Sequence, residues 1–329
     1  MSPGPSVVAI GGGHGLARTL RAVTRYASRV AAVASVADDG GSSGRLRRQL
    51  QIPAVGDLRK CLVALLPEGS AIGRALEHRF DGGGELEGHA LGNLLIAALA
   101  ASAGGFVEGV LEAGRLLGVA GEVLPATSGP VVLRAEAGGR EVEGQVRIMA
   151  TPGVTRVTLS PEDAEVPGQV LEAIAAADQV VIGPGSLYTS VLAALAPAPI
   201  RRALAGCKAQ VVYVCNLREQ VPETSGYDVA AHVEALGAHG LAPDWVLADS
   251  SALAVGELRD GPRLLQVELA PSGSPVHDPV RLADALAGLA RRPAEGPYSP
   301  GAGLREVGGV GEIVGAERTS GGRRAPRRA

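Results

Sequence analysis

The stretch SVVAIGGGHGL, residues 6–16, decides the fold. It opens with a short apolar run suited to a buried strand, and a helical pattern follows at 16–28. Between them stands Gly11-Gly12-Gly13-His14-Gly15. Without Cβ atoms such a turn lets backbone N–H groups approach an anion, and the helix behind it adds its dipole. The spacing is not the dinucleotide fingerprint, because Leu16 stands where the third glycine would fall. It is not a Walker A loop either, since no Gly-Lys-Ser/Thr follows. Gly12, Gly13, His14 and Gly15 are therefore candidates for a phosphate cradle of a less common kind.

The same alternation recurs outward from this unit. A second strand is predicted at 29–36, and helices at 56–66, 71–79, 88–103 and 107–117. Around 122–150 the texture changes. Residues 131–136 and 141–148, joined by Ala137-Gly138-Gly139-Arg140, predict a hairpin with alternating polar and apolar positions. Compact apolar strands resume at 179–182, 210–214 and 245–248, and a last strand at 264–268 precedes a helix at 279–291. The fold class expected is α/β: a doubly wound, mainly parallel Rossmann-like sheet over 1–291 with a small β-hairpin excursion. Residues 292–329, rich in Pro, Gly and Arg, are expected to form a disordered tail.

Composition bounds the function. With 46% hydrophobic and 20% charged residues and mean hydropathy +0.18, the 329-residue chain can bury a core. Eight aromatic residues are too few for a platform that stacks single-stranded nucleic acid. Lys60 and Lys208 are the only lysines, and 47 glycines accompany the arginine bias, which points to GC-rich codons. The net charge of −3 is an average of unlike parts: five arginines follow Glu317, so residues 1–317 carry 26 basic against 34 acidic groups, or −8. So acidic a body is a poor nucleic-acid binder. Cys61, Cys207 and Cys215 form no CxxC and suit the reduced thiols of a cytoplasmic protein. No basic, apolar leader is visible at the N-terminus, and the uncharged stretch 90–107 contains Asn93, Ser102 and Gly104-Gly105, so a buried helix is expected there and not a membrane span.

Ligands of open parallel sheets bind at the carboxyl ends of the strands, which singles out three more segments. Gly183-Pro-Gly185-Ser186-Leu187-Tyr188 follows a strand, with Ser186 placed to N-cap the next helix. Asp38 and Asp39 end the second strand, where carboxylates can hold ribose hydroxyls or Mg2+. The run after them offers backbone N–H groups, the Ser42 and Ser43 hydroxyls and the Arg45 guanidinium. Asp57 opens a helix with the apolar stripe Leu58, Leu62 and Leu65, either as a cap or as a catalytic carboxylate. His89 and Asn93 are predicted one turn apart on a helix, away from the stripe Leu91, Leu94, Leu95, Ala98 and Leu99. That helix is apolar nearly all round, so these polar groups need partners: each other, or a ligand. No His-Cys metal spacing and no Gly-x-Ser-x-Gly elbow occurs.

In order, GGGHGL (11–16), VADDGGSSGRLR (36–47), GDLRKCLVAL (56–65), HRF (78–80), GHALGN (88–93), GPGSLYTSV (183–191), CNL (215–217) and ETSGY (223–227) resemble the YvcK gluconeogenesis-factor family. That family is a branch of the superfamily that includes 2-phospho-L-lactate transferase, and the resemblance covers nearly all of 6–291. It implies a cytoplasmic protein that binds UDP-sugars such as UDP-N-acetylglucosamine and links gluconeogenic growth to cell shape and cell-wall synthesis. It further implies that Gly12 to Gly15, Asp38, Asp39, Ser42, Ser43 and Gly185 to Tyr188 line the pocket, with Asn216 and Thr224 on its rim. Asp57 falls where the transferase relatives keep an acidic residue near their acceptor. Many members have Thr in place of His14 and a basic residue in place of Val276, before His277-Asp278; both departures resemble the actinobacterial branch. Partners in keeping with the family would be cell-wall or kinase regulators, or a second copy of the chain. The competing expectation is a Mg2+-dependent transferase of a phosphate-linked group, with Asp57 and His89 catalytic and Asp38 and Asp39 on the metal. An NAD-linked oxidoreductase is disfavoured by the broken glycine spacing.

Overall fold

A computed structural model describes residues 4–258 and 261–291; the tail expected at 292–329 lies outside them. The strands along the chain are β1 (Ser6–Gly11), β2 (Arg29–Ala34), β3 (Glu122–Pro125), β4 (Val132–Ala137), β5 (Arg140–Glu143), β6 (Val154–Ser160), β7 (Gln179–Ile182), β8 (Gln210–Val214), β9 (Trp245–Asp249) and β10 (Arg263–Val267). The helices that follow the first strands are α1 (Gly13–Val23), α2 (Gly41–Leu50), α3 (Gly56–Ala64), α4 (Ala71–Glu77), α5 (Leu91–Ser102) and α6 (Phe106–Leu117). Then come α7 (Gln145–Met149), α8 (Gly168–Ala175), a π-helix (Leu187–Leu192) running into α9 (Ala193–Leu195), α10 (Ala198–Gly206), α11 (Val229–Ala238) and α12 (Pro279–Ala290).

Seven parallel strands form one sheet in the order β10-β9-β8-β7-β1-β2-β3. The central strands are buried on both faces, which is why Val7 to Ile10 and Val180 to Ile182 are unbroken apolar runs. Helix α1 holds Leu16, Leu20 and Val23 against the sheet at helical spacing. Fully burying each of these side chains contributes roughly 1.5–3 kcal/mol. α1 packs with α3 and α12, while the π-helix packs with β6 and α7. The strand order reverses between β1 and β7, so their carboxyl ends border the crevice where such sheets bind ligands.

The second sheet is small and antiparallel, in the order β5-β4-β6. Alternating burial along β4, with Leu133, Ala135 and Ala137 inward, is the pattern of a sheet wetted on one side. Three differences from the sequence expectation matter. Residues 122–125 join the principal sheet as its edge strand β3. The expected strand 141–148 stops at Glu143, because Gly144, at φ 96°, turns the chain into α7. β6 completes the hairpin as a third strand that the alternation had not announced.

Helix α5 buries a different side from the one its leucine pattern suggests, although Leu94 and Leu99 still pack on the core. Gly92, Asn93, Ile96, Ala97 and Ala100 are its buried side, whereas Leu91 and Leu95 line an apolar groove with Ile72, Leu76, Leu116 and Leu117. Among the described residues no helix is long and apolar enough to cross a membrane.

Candidate functional site

The two glycine turns meet at the switch point. A Cβ on Gly12 would lie 2.6 Å from Asp57 Oδ2, and one on Gly15 would lie 2.0 Å from the Pro184 carbonyl oxygen. The second approach meets backbone and only glycine allows it; the first meets the end of the Asp57 side chain. Gly13 and Gly183 also sit at φ +64° and +73°, where a side chain would strain the backbone. α1 begins in this contact with no side-chain cap and no acid in its first turn. Its terminal N–H groups keep their donor capacity and the positive end of the dipole. His14 projects from that turn, exposed, and its pKa is lowered by partial burial and by the Lys60 charge.

A buried carboxylate organises the second turn from below. Glu223 Oε1 accepts from the backbone N–H groups of Tyr188 and Thr189, both at 2.8 Å, and so caps the π-helix. Ser186 occupies the cap position without making a cap bond; its hydroxyl instead accepts from Gln220 Nε2 at 3.2 Å. The cap expected of Ser186 is thus supplied by Glu223, whose longer side chain arrives from another loop. Asn216 grips the Gly185 peptide at both ends: its Oδ1 accepts from Gly185 N at 3.1 Å and its Nδ2 donates to Gly185 O at 2.9 Å.

Asp38 and Asp39 part company at the end of β2. Asp38 Oδ1 accepts from Gly40 N at 2.9 Å, and burial, helped by the nearby Asp57, raises its carboxyl pKa. Asp39 Oδ1 accepts from Val146 N at 3.0 Å, in the first turn of α7. It ties the small sheet to the crevice and is not paired with Asp38 on one face. Among the described residues no group of three or more His, Cys, Asp or Glu side chains could hold a metal ion.

The third cluster centres on Ser42, buried near the start of α2. His89 Nδ1 lies 3.1 Å from its hydroxyl, and Asn93 Nδ2 donates to it at 3.0 Å. Asn93 Oδ1 is buried without a partner. His89 stands ahead of α5 and not on it, yet the loop carries it to the same hydroxyl. Burial and the Arg45 charge lower its pKa. Arg45 donates to the Glu87 carbonyl and closes this loop over α2. Ser43 is buried against Gly56, where an added Cβ would fall 2.4 Å from its hydroxyl oxygen.

Asp57 does not cap α3; it lies within the first turn and pairs with Lys60 Nζ at 2.9 Å. Two other expected contacts are turned inward. Tyr188 is buried, with its hydroxyl 2.8 Å from that of Tyr227, and Leu187 is buried beside it. Thr224 does not sit on a rim: it is fully buried, and its hydroxyl accepts from Gln220 N at 2.9 Å. Sequence reasoning did not single out Glu223, Lys60 or Gln220. The motifs ETSGY and GDLRK contained the first two, but nothing in their spacing gave them a role.

Comparison with known proteins follows the same outline. Residues 7–261 match the family described as 2-phospho-L-lactate transferase CofD. A relative from Deinococcus radiodurans is 41% identical over 309 residues, which are 87% of this chain and 66% of that protein. The chain thus spans about two thirds of that relative's length. The gluconeogenesis factor of Bacillus subtilis is 42% identical over 241 residues, 73% of this chain and 76% of its own length. A crystal structure of a UPF0052 family member from Bacillus halodurans superposes with a TM-score of 0.81 at 35% identity, covering 87% of this chain and 99% of that one.

Proposed function

The chain belongs to the CofD family, and from that premise we propose that it is a gluconeogenesis-factor-type regulator that binds a UDP-sugar in the crevice between β1 and β7. The observation that carries this reading is the backbone contact of the two glycine turns at the switch point. In this reading the amides of α1 and the turn held by Asn216 and Glu223 would together receive the diphosphate. In this reading Asp38 would take ribose or sugar hydroxyls, and Ser42 with Asn93 and His89 would meet the polar face of the ligand. Binding would shift how the small sheet, tied by Asp39 to the crevice edge, presents itself to partners that link carbon supply to cell-wall synthesis in the cytoplasm.

A second reading is favoured by Asp57, which lies against Gly12 inside the crevice. In a transferase this carboxylate would orient the acceptor while the turns hold the phosphate-linked donor. Mg2+ would then neutralise phosphate charge, resting on Asp38 and on the ligand's own oxygens, since Asp39 is turned to α7. Calorimetry of the full chain with UDP-N-acetylglucosamine, followed by mass spectrometry of the mixture with Mg2+, separates the two. Binding heat without turnover supports the regulator, and released UDP supports the transferase. No heat at millimolar ligand overturns the UDP-sugar reading.

A further inference from the structure

Arg59, on α3, is 5% exposed, yet no hydrogen bond or ion pair of its guanidinium occurs among the described residues. Its Nε and Nη1 are both sealed from solvent and unpartnered. Arginine cannot escape this by losing a proton, and a buried cation without a counter-charge is strongly unfavourable. The carboxylate nearest in sequence, Asp57, is committed to Lys60. Glu77, at the end of α4, is the strongest attractive charge on Arg59, but it is exposed and does not reach the guanidinium. Arg79 adds a second positive charge that opposes the first.

The surroundings are shaped for this side chain. Its stem crosses Gly92, where a Cβ would lie 2.7 Å from Arg59 Cγ, so glycine alone lets it lie against the first turn of α5. α5 has neither a side-chain cap nor an acid in that turn. The stem of an arginine with an unpartnered guanidinium therefore lies against a helix start that has no side-chain cap, where Leu91 N donates to the His78 carbonyl.

We propose that Arg59 anchors a second ligand subsite, between α3 and the N-terminus of α5, which takes a small oxyanion: the phosphate or carboxylate group of a metabolite. The subsite lies beyond the glycine turns and does not depend on the UDP-sugar reading. It makes the protein responsive to a second, anionic compound.

The test uses the full chain with inorganic phosphate, and in a separate arm acetate, at ionic strength held constant with KCl. By NMR, either anion is expected to slow exchange of the Arg59 Nε–H with water, and the more effective one identifies phosphate or carboxylate as the ligand group. Arg59→Met is expected to lose the anion-dependent rise in Tm while keeping the heat of UDP-N-acetylglucosamine binding. Arg59→Lys keeps a point charge without the planar fork and should bind the anion about tenfold more weakly. Unchanged Nε–H exchange with both anions overturns the proposal, as does an equal Tm response in Arg59→Met. The NMR arm needs no variant, so it holds even where a substitution prevents folding. The sugar-nucleotide heat is read separately and tells failure of this subsite from failure of the crevice.

Discussion

Gly15 and Pro184 touch backbone to backbone across the switch point: a Cβ on Gly15 would stand 2.0 Å from the Pro184 carbonyl oxygen. The contact joins the turn after β1 to the turn after β7, and the crevice is built around it. Gly15→Ala must therefore push the turns apart. Overpacking of this kind costs about 1–3 kcal/mol, which a urea midpoint would register, and UDP-sugar binding should fall with it. An alanine variant with parental midpoint and binding would show that the turns need not touch.

Asn216 and Tyr188 should behave oppositely. Asn216→Ala removes both bonds to the Gly185 peptide and is expected to weaken UDP-sugar binding by about tenfold, the effect of losing roughly 1.4 kcal/mol. Tyr188→Phe removes a hydroxyl that faces Tyr227 and should leave affinity unchanged. Calorimetry on both variants checks this. A Tyr188→Phe protein that loses affinity would place the ring in the site.

Ser42 and Asn93 are predicted to be energetically coupled. Asn93 Nδ2 donates to Ser42 Oγ at 3.0 Å in a buried setting, so Ser42→Ala strands the Asn93 amide, while Asn93→Ala leaves the Ser42 hydroxyl with His89 alone. A double-mutant cycle by urea unfolding should give a coupling of about 0.5–3 kcal/mol. Strict additivity would mean that the two side chains are satisfied independently.

Glu223 sets a pH dependence of known sign. Burial raises its carboxyl pKa above the ordinary 4.5, against the pull of the Thr189 and Tyr188 amides. The native state thus holds this proton more tightly than the unfolded chain. The carboxyl is neutral in stability at low pH and destabilising once the pH has risen from 4.5 through its native value. Glu223→Gln keeps an acceptor without the charge. It should flatten this part of the stability profile and be at least as stable as the parent at neutral pH. Glu223→Ala loses the cap and should cost about 0.5–2 kcal/mol. A Gln variant that retains the parental slope would contradict the assignment.

His277 acts with the opposite sign. Burial holds its imidazole down to about 4, although a hydrogen bond at Cys215 and the Asp249 charge pull upward. The unfolded chain takes the proton first, so the stabilisation is complete above pH 6.5 and drains as the pH falls towards 4. The full effect is about 3 kcal/mol. His277→Gln should remove most of the difference between urea midpoints at pH 7 and pH 4.5. An unaltered difference would assign the acid sensitivity to other groups.

Local pattern made much of this legible. Each strand of the principal sheet except β3 was visible as an apolar run, and both glycine turns were placed at strand ends. What failed did so where a long-range partner outweighs local period. The leucine stripe of α5 suggested the buried face, but Leu91 and Leu95 border a groove while Asn93 is buried, where Ser42 offers it a hydrogen bond. Ser186 had the composition of a cap, but Glu223 was better placed to provide it.

The amino-acid sequence by itself determined the class of sheet, the glycine turns and an acidic body of −8, since these depend on residues only a few positions apart or on composition. Tertiary structure alone decided where the polar side chains went. Asp39 meets Val146 across 107 residues, and Ser42 meets His89 and Asn93 across 47 and 51. Such pairs carry no local signature, because a hydrogen bond or ion pair is specified by position in space. Arg59 shows this most plainly: in sequence it is one more arginine, and only burial reveals that it lacks a partner.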